Sequence, residues 1–167
     1  RIYLYHIPPV AQVPITIQLI EKLIKNYPNI VVGIKDSSGD WANTKAMLDC
    51  QWDDFRIFVG SENYLLQNME NGGSGCISAT ANINPRGIKE LCDNWDKENS
   101  HELQKYLTQI RNSFSNFPLI PALKSYLAGY LKEKIWLLPR PPLTPLSKKD
   151  TTLLAENLGN INFKFSN

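Results

Sequence analysis

The chain has 167 residues, of which 43% are apolar and 20% charged, and its net charge is +2 at pH 7. This composition supports a buried core and excludes a disordered chain. The small charge, without a block of like charges, argues against a nucleic acid or a membrane surface as partner and favours a small molecule. No apolar run approaches the ~18 residues of a membrane span, and the N-terminus lacks a signal-peptide pattern.

The three cysteines, an odd number without C-x-x-C spacing, lie in or beside apolar segments. This is typical of reduced cysteines in a protein core. We therefore expect an intracellular, cytoplasmic protein. The first residues, "RIYLYHIPP", already read as the middle of a strand, which indicates that the sequence opens inside a larger fold.

The first part of the chain alternates predicted strands and helices. The aromatic and β-branched stretch 2–7 predicts a strand, and the apolar stripe within 14–27 predicts a helix. The continuous apolar run 29–35 predicts a strand that is covered on both faces. Residues 37–40 then supply a turn and an N-cap for a short helix at 41–50.

The same unit then repeats. Stretch 55–60 predicts a third strand, and Ser61 caps a helix that ends at a pair of glycines. Stretch 75–82 predicts a fourth strand, before an Asn-Pro pair that is a typical helix start. The predicted strands begin about 20 to 28 residues apart, which is the length of a strand–helix unit in a parallel sheet.

The later part of the chain is predicted to be helical. Three helices are predicted, at 86–98, 101–115 and 120–133. The prolines of 137–146 predict an extended connector, because they fix the backbone. A last helix is expected at 147–158, and the tail 159–167 has no assignment. We therefore divide the chain into 1–85, with the strands, and 86–167, with the helical region.

Four consecutive strand–helix units indicate an α/β fold. Two architectures satisfy them: an open doubly wound sheet, or part of an eight-stranded barrel. Both place functional residues at the carboxyl ends of the strands. A flavodoxin-like regulatory domain would need an acidic cluster or a phosphate-binding loop after its strands, and the sequence has neither.

Lys35 ends the apolar strand 29–35. Gly33 lies two residues earlier on the same face and is expected to leave room for the long side chain. Desolvation lowers the pKa of a lysine, and a neutral amine is a nucleophile toward a carbonyl carbon, as Schiff-base chemistry requires. The alternative is that Lys35 simply extends into solvent at the end of the strand.

The neighbouring strand ends carry polar groups. Tyr5 offers a phenol that donates and accepts protons, as imine formation requires, although an ordinary amphipathic core tyrosine is the alternative. Gly60 is expected to allow close approach of a substrate. Ser61, Glu62 and Asn63 offer groups that bind hydroxyls, although a helix start of this type is also common as plain capping.

The motifs "YHIP", "GIKDSSGD", "FVGSEN" and "GGSGCISATANINP" occur in this order. Together they resemble the dihydrodipicolinate synthase and N-acetylneuraminate lyase family of class I, Schiff-base aldolases. The resemblance covers about residues 2–146 and includes the "PALKSYL" and "RPPL" segments. It implies a TIM (β/α)₈ barrel, of which this chain covers about strands five to eight and the C-terminal helices.

The resemblance also implies roles for individual residues. Lys35 matches the lysine that forms the imine with a 2-keto acid such as pyruvate, and Tyr5 matches the tyrosine that relays protons. Ile77 and Ala79 match positions that line the pyruvate pocket. Four further residues match positions that contact the variable part of the substrate in sugar-acid lyases: Ser37, Gly60, Glu62 and Asn63. Those lyases usually have two adjacent acids there, and this chain has only Glu62.

No metal or cofactor is expected, since the covalent imine on Lys35 takes that place. The only two histidines, His6 and His101, are far apart in sequence, which argues against a metal-dependent aldolase.

One departure from the family pattern bears on the substrate. The synthase usually reads Y-N-x-P-x-R-T-G, in which the arginine holds a carboxylate of the second substrate. Here Val10 stands at the arginine position and cannot pair with a carboxylate. His6 replaces the usual asparagine and is expected simply to pack.

The expected function is therefore that of a lyase or aldolase that cleaves or forms a C–C bond of a pyruvate-derived 2-keto acid, of the sugar-acid type or a related one. The alternatives are 4-hydroxy-tetrahydrodipicolinate synthase activity and a non-catalytic barrel that binds a 2-keto acid.

The family pattern also includes a G-x-x-G-E type loop on an early strand, which holds the substrate carboxylate, and this sequence does not contain it. Half of a barrel leaves open strand edges and an uncovered interior. We therefore expect the missing N-terminal half to come from a longer chain or from a second polypeptide, and the present chain to be inactive alone. The resemblance implies a homo-oligomer, with tetramers usual.

Overall fold

The computed structural model describes residues 1–165, which form two compact units. The first unit contains Arg1–Ser78 and Leu91–Ser100, and the second contains Ala79–Glu90 and the described residues from His101 onward. Ser166 and Asn167, the end of the unassigned tail, lie outside the described residues. The predicted boundary between barrel and helical region after residue 85 stays a prediction, because compactness does not test where a barrel ends.

The first unit contains a parallel sheet whose strands follow in chain order. The strands are β1 (Ile2–His6), β2 (Val31–Asp36) and β3 (Arg56–Val59). The helices are α1 (Pro8–Ala11), α2 (Ile17–Asn26), α3 (Trp41–Asp49) and α4 (Leu65–Glu70). The first three predicted strand–helix units are thus confirmed. The short helix α1 was not predicted, although a proline at the first helical position favours it.

The predicted helix starts are confirmed by their hydrogen bonds. The Asp40 carboxylate accepts a hydrogen bond from the Ala42 N–H at the start of α3. The Ser61 hydroxyl accepts from the Asn63 N–H and begins the 3₁₀ turn Glu62–Tyr64 that precedes α4. These side chains satisfy N–H groups that have no partner within the helix.

The predicted fourth strand, 75–82, is wrong. Cys76 makes one isolated parallel bridge to Val59, and Ala79–Asn82 forms a 3₁₀ helix. Gly75 just before the bridge has a φ of 119°, which interrupts regular strand geometry. Among the described residues the sheet therefore has three strands, and the fourth segment runs beside β3 only briefly.

The core of the first unit lies between the sheet and its helices. It is built from Ile20, Ile34, Met47, Leu48 and Ile57. Successive residues of a strand point to opposite faces, so Ile34 points toward the helices and Lys35 to the other face. Burial of each such side chain contributes about 1.5–3 kcal/mol, and this burial determines which face of β2 is turned inward.

The later helices are α5 (Pro85–Asp93), α6 (Ser100–Ser115), α7 (Leu119–Leu131) and α8 (Lys148–Asn160). All four predicted helices are therefore confirmed. The core of the second unit includes Phe114, Leu123 and Leu154, and it also includes Phe163 from the segment that had no assignment. In the described part of the chain, no helix has the length and apolar character to cross a membrane.

Gly33 provides a test of the sheet packing. A Cβ atom at this position would overlap the Tyr3 ring and the backbone oxygen of Arg56. We expect Gly33→Ala to destabilise the protein by about 1–3 kcal/mol, measured by urea unfolding, because neighbouring atoms must shift. Gly129→Ala in α7 is the control, since its Cβ would meet nothing within 4 Å. Equal stability of the two variants would contradict this packing.

Candidate active site

The strand register brings Tyr5 and Lys35 together. They are direct partners between β1 and β2, and Lys35 pairs in turn with Phe58 of β3. Partners in adjacent parallel strands project from the same face of the sheet. A phenol, an amine and an aromatic ring therefore stand side by side near the carboxyl ends of the strands.

The Lys35 amine lies against the Tyr5 phenol, with Nζ 4.1 Å from the ring centroid. The pKa of Tyr5 is lowered, first by a hydrogen bond from Lys35 and further by one from the Ser37 hydroxyl and by the charge of Lys35, while partial burial opposes the shift. Lowering the phenol pKa moves it toward neutral pH, which suits a group that must release and regain a proton. The structure thus brings together Tyr5, Lys35 and Ser37.

The surroundings of the amine differ from the predicted dry pocket. Strand β2 is buried up to Ile34, but the Lys35 side chain is half-buried and Tyr5 is 50% exposed. The described residues alone therefore do not exclude water from this face of the sheet.

The two glycines of the site lie against side chains of neighbouring segments. The space above Gly33 holds the Tyr3 ring and not the Lys35 side chain. Tyr3 contacts Phe58 edge to face, with ring centroids 5.9 Å apart. A Cβ atom at position 60 would collide with the Ser37 side chain, so the glycine at this position leaves room for Ser37. The predicted close approach of a substrate to Gly60 stays a prediction.

Glu62 has a partner within the protein. It is 1% exposed, and its carboxylate accepts a hydrogen bond from the Ser78 hydroxyl. This contact joins the segment after β3 to the bridged fourth segment. Asn63 is half-buried, and its side-chain oxygen is enclosed without a hydrogen-bond partner. The predicted substrate contacts of both residues stay predictions.

The remaining predicted residues occupy different environments. Ile77 is 46% exposed, and its N–H donates to the Val59 carbonyl, 2.9 Å away. Ala79 belongs to the second unit, where it begins the 3₁₀ helix Ala79–Asn82, and its role in the pyruvate pocket stays a prediction. His6 packs as predicted, since it is buried and its Nδ1 accepts a hydrogen bond from the Ile15 N–H.

The sequence analysis missed one buried carboxylate, Asp36. It follows Lys35 and points to the opposite face, where it is 4% exposed and accepts three hydrogen bonds. The strict alternation of side chains along β2 was the available signal, because it places an acid on the face that packs against helices. Among the described residues, no group of three or more His, Cys, Asp and Glu side chains is arranged to hold a metal ion.

Comparison with known proteins identifies the family. The model of the dihydrodipicolinate synthetase family matches residues 2–161. The chain belongs to the dihydrodipicolinate synthetase family. A 4-hydroxy-tetrahydrodipicolinate synthase of Thermus thermophilus is 34% identical over an alignment of 161 positions, and the match covers 93% of this chain and 53% of that protein. An uncharacterized DapA-like lyase of Chloroflexus aurantiacus is 32% identical, and the match covers 92% of this chain and 51% of that protein.

The fold agrees with a solved member of the dihydrodipicolinate synthetase family. The crystal structure of dihydrodipicolinate synthase from Agrobacterium tumefaciens str. C58 superposes with a TM-score of 0.82 at 28% identity, over 94% of this chain and 52% of that one. The chain therefore corresponds to about strands five to eight and the C-terminal helices of a TIM barrel, with the segment in the place of the last strand making only the single bridge between Cys76 and Val59. It spans about half the length of the relatives it matches.

The contact between amine and phenol has a measurable consequence. We expect Lys35→Met to raise the pKa of Tyr5, because the hydrogen bond from Lys35 is the largest cause of its lowering. A pH titration of tyrosinate absorbance near 295 nm checks this, with Tyr5→Phe identifying the component that belongs to Tyr5. An unchanged titration in Lys35→Met would show that the two groups do not interact.

Proposed function

We propose that this chain provides the catalytic amine of a Schiff-base lyase that acts on a pyruvate-derived 2-keto acid. The observation that carries the proposal is the contact of the Lys35 amine with the Tyr5 phenol at the carboxyl ends of parallel strands. Active sites of TIM barrels lie at this end. Family membership supports the same chemistry, since two relatives carry the names of a lyase and a synthase.

The first half of the proposed reaction forms the imine. The neutral Lys35 amine attacks the 2-keto carbon, and the carbonyl oxygen takes up a proton to give a carbinolamine. The Tyr5 phenol then donates a proton to the departing hydroxyl, which leaves as water. The C=N bond of the protonated imine replaces the C=O bond, and no redox partner or metal takes part.

The second half breaks the C–C bond. The Tyr5 phenolate accepts the proton of the C4 hydroxyl, the C3–C4 electron pair moves toward the iminium, and an aldehyde leaves. Protonation of the enamine at C3 and hydrolysis of the imine release pyruvate and the free amine. The lowered pKa of Tyr5 makes the phenolate easier to form, and the reverse sequence forms the bond.

The valine at position 10 favours an aldehyde substrate that has no carboxylate group near this residue. It lies in α1, directly after the strand that carries Tyr5, and is 74% exposed. A valine offers no donor to a carboxylate, where a guanidinium would form a bidentate pair. A sugar acid or related 2-keto acid is therefore the proposed substrate class. The second candidate is the synthase activity, which the names of two relatives support. The third candidate is a non-catalytic barrel that binds a 2-keto acid.

The partners of the chain are also proposals. Pyruvate is the proposed small molecule, and the other half of the barrel, from the same or a second polypeptide, is the proposed cover for the exposed face of the sheet. We further propose a homo-oligomer, of tetrameric type, in the cytoplasm.

Imine formation is tested by trapping. Treatment of the full-length protein with pyruvate and borohydride should reduce the imine to a stable adduct, which peptide mass spectrometry should locate on Lys35. Lys35→Arg should abolish it, because a guanidinium is too weak a nucleophile. The control is Lys45→Arg, since Lys45 pairs with Asp49 on α3. No adduct on Lys35 in the wild type would support the binding-only barrel.

The substrate class is tested at Val10. Wild-type protein should process aldehydes that lack a second carboxylate, and Val10→Arg should raise kcat/KM for a carboxylate-bearing aldehyde by about tenfold, because a charge-assisted pair is added. Val10→Leu is the size control. Efficient use of the carboxylate-bearing aldehyde by the wild type would instead favour the synthase.

A further inference from the structure

Asp36 is a buried carboxylate that the proposed reaction does not use. It follows Lys35 at the end of β2, and strand alternation sends it to the face that packs against helices. Burial of a carboxylate is costly unless hydrogen bonds replace its water. Asp36 is only 4% exposed, so its burial at the end of the strand requires a structural or functional explanation.

The carboxylate oxygens of Asp36 have defined partners on the following loop and helix. Oδ1 accepts from the Ser38 N–H at 2.9 Å. Oδ2 accepts from the Asn43 side-chain amide at 3.0 Å and from the Thr44 hydroxyl at 2.6 Å. These bonds tie the turn after Lys35 to the first turns of α3.

The backbone at this point is also tied to both neighbouring strands. The Ser37 N–H donates to the His6 carbonyl at 2.7 Å, and the Gly60 N–H donates to the Asp36 carbonyl at 2.6 Å. Lys35 and Ser37, the residues on either side of Asp36, both act on the Tyr5 phenol: the Lys35 Nζ lies 4.1 Å from the centroid of its ring, and the two side chains lower its pKa. A shift of this short segment would therefore move both partners of the phenol together.

We propose that Asp36 is a positioning residue that holds the Lys35 amine and the Ser37 hydroxyl against the Tyr5 phenol through its hydrogen bonds to Ser38, Asn43 and Thr44. The inference rests on the proposed function. The positions of the Lys35 and Ser37 side chains are then fixed by hydrogen bonds on the opposite face of β2. Misplacement of a reacting group by about 1 Å costs up to ~10²-fold in rate, so the anchor has a kinetic effect beyond its effect on stability.

The test compares Asp36→Ala and Asp36→Asn in the full-length protein. Asp36→Ala should slow borohydride trapping of pyruvate on Lys35 by about tenfold or more and raise the pKa of Tyr5 toward its ordinary value, since the partners of the phenol shift. Asp36→Asn should restore most of both, because its amide oxygen still accepts from the Ser38 N–H and its NH2 group can donate to the Thr44 hydroxyl, while the bond from the Asn43 amide is lost. An asparagine variant as impaired as the alanine variant would overturn positioning by hydrogen bonds.

Asp40→Ala is the matched control. Asp40 lies in the same loop and caps α3 through the Ala42 N–H, so its removal costs about 0.5–2 kcal/mol of stability. It should leave trapping rate and Tyr5 titration unchanged. Equal changes in Asp40→Ala and Asp36→Ala, or none in either, would overturn the proposal.

A milder pair covers the case in which Asp36→Ala does not fold. Thr44→Val removes one donor to Asp36, and Thr44→Ser keeps it. The valine variant should raise the pKa of Tyr5 and the serine variant should not; identical titrations would overturn the proposal. If the wild type forms no adduct on Lys35, the proposed function fails, while the Tyr5 titration still decides the positioning role.

Discussion

The parallel pairing of β1 with β2 is the constraint on which the candidate site depends. It places Tyr5 opposite Lys35, and every contact between phenol and amine follows from that register. A slip of one residue would turn Tyr5 to the helix-facing side. The facing of both strands is held on the helix side, because Leu4 of β1 packs against the core there and Ile34 of β2 is completely buried. Turning Ile34 outward would cost about 1.5–3 kcal/mol.

The two faces of the sheet thus have separate tasks. The face with Lys35 carries the amine and the phenol of the candidate site, and the face with Ile34 carries the core. At the strand ends, buried polar side chains fix the loops: His6 holds the Ile15 N–H, and Asp36 holds the turn after β2. Buried polar groups are costly when they are half satisfied, and these have partners, so they specify loop positions that apolar residues would leave open.

The sequence predicted what depends on local pattern. Alternation and apolar runs predicted the three strands and their helices. Motif order singled out Lys35 and Tyr5, which the structure places side by side and whose catalytic roles stay predictions. The fourth strand failed because strand formation depends on a partner: Cys76 forms a single bridge to Val59 before the chain turns. The contact of Glu62 with Ser78 joins residues 16 positions apart, and the filling of the Gly33 space by Tyr3 depends on a side-chain orientation. No local pattern in the sequence predicts either of these two contacts.

The exposed face of the sheet connects the fold to the proposed chemistry. Tyr5 is half exposed, and in the described residues β1 pairs along one edge only. Hydrogen bonds and charge interactions strengthen when water is excluded, so the contact between amine and phenol is weaker here than it would be under a cover. The second half barrel that we propose would supply such a cover, because closure would pair the free edge of β1 and enclose the inner face. If the proposed half barrel covers this face, the present chain would hold the amine and the phenol in register, and the covering half would determine how strongly they interact.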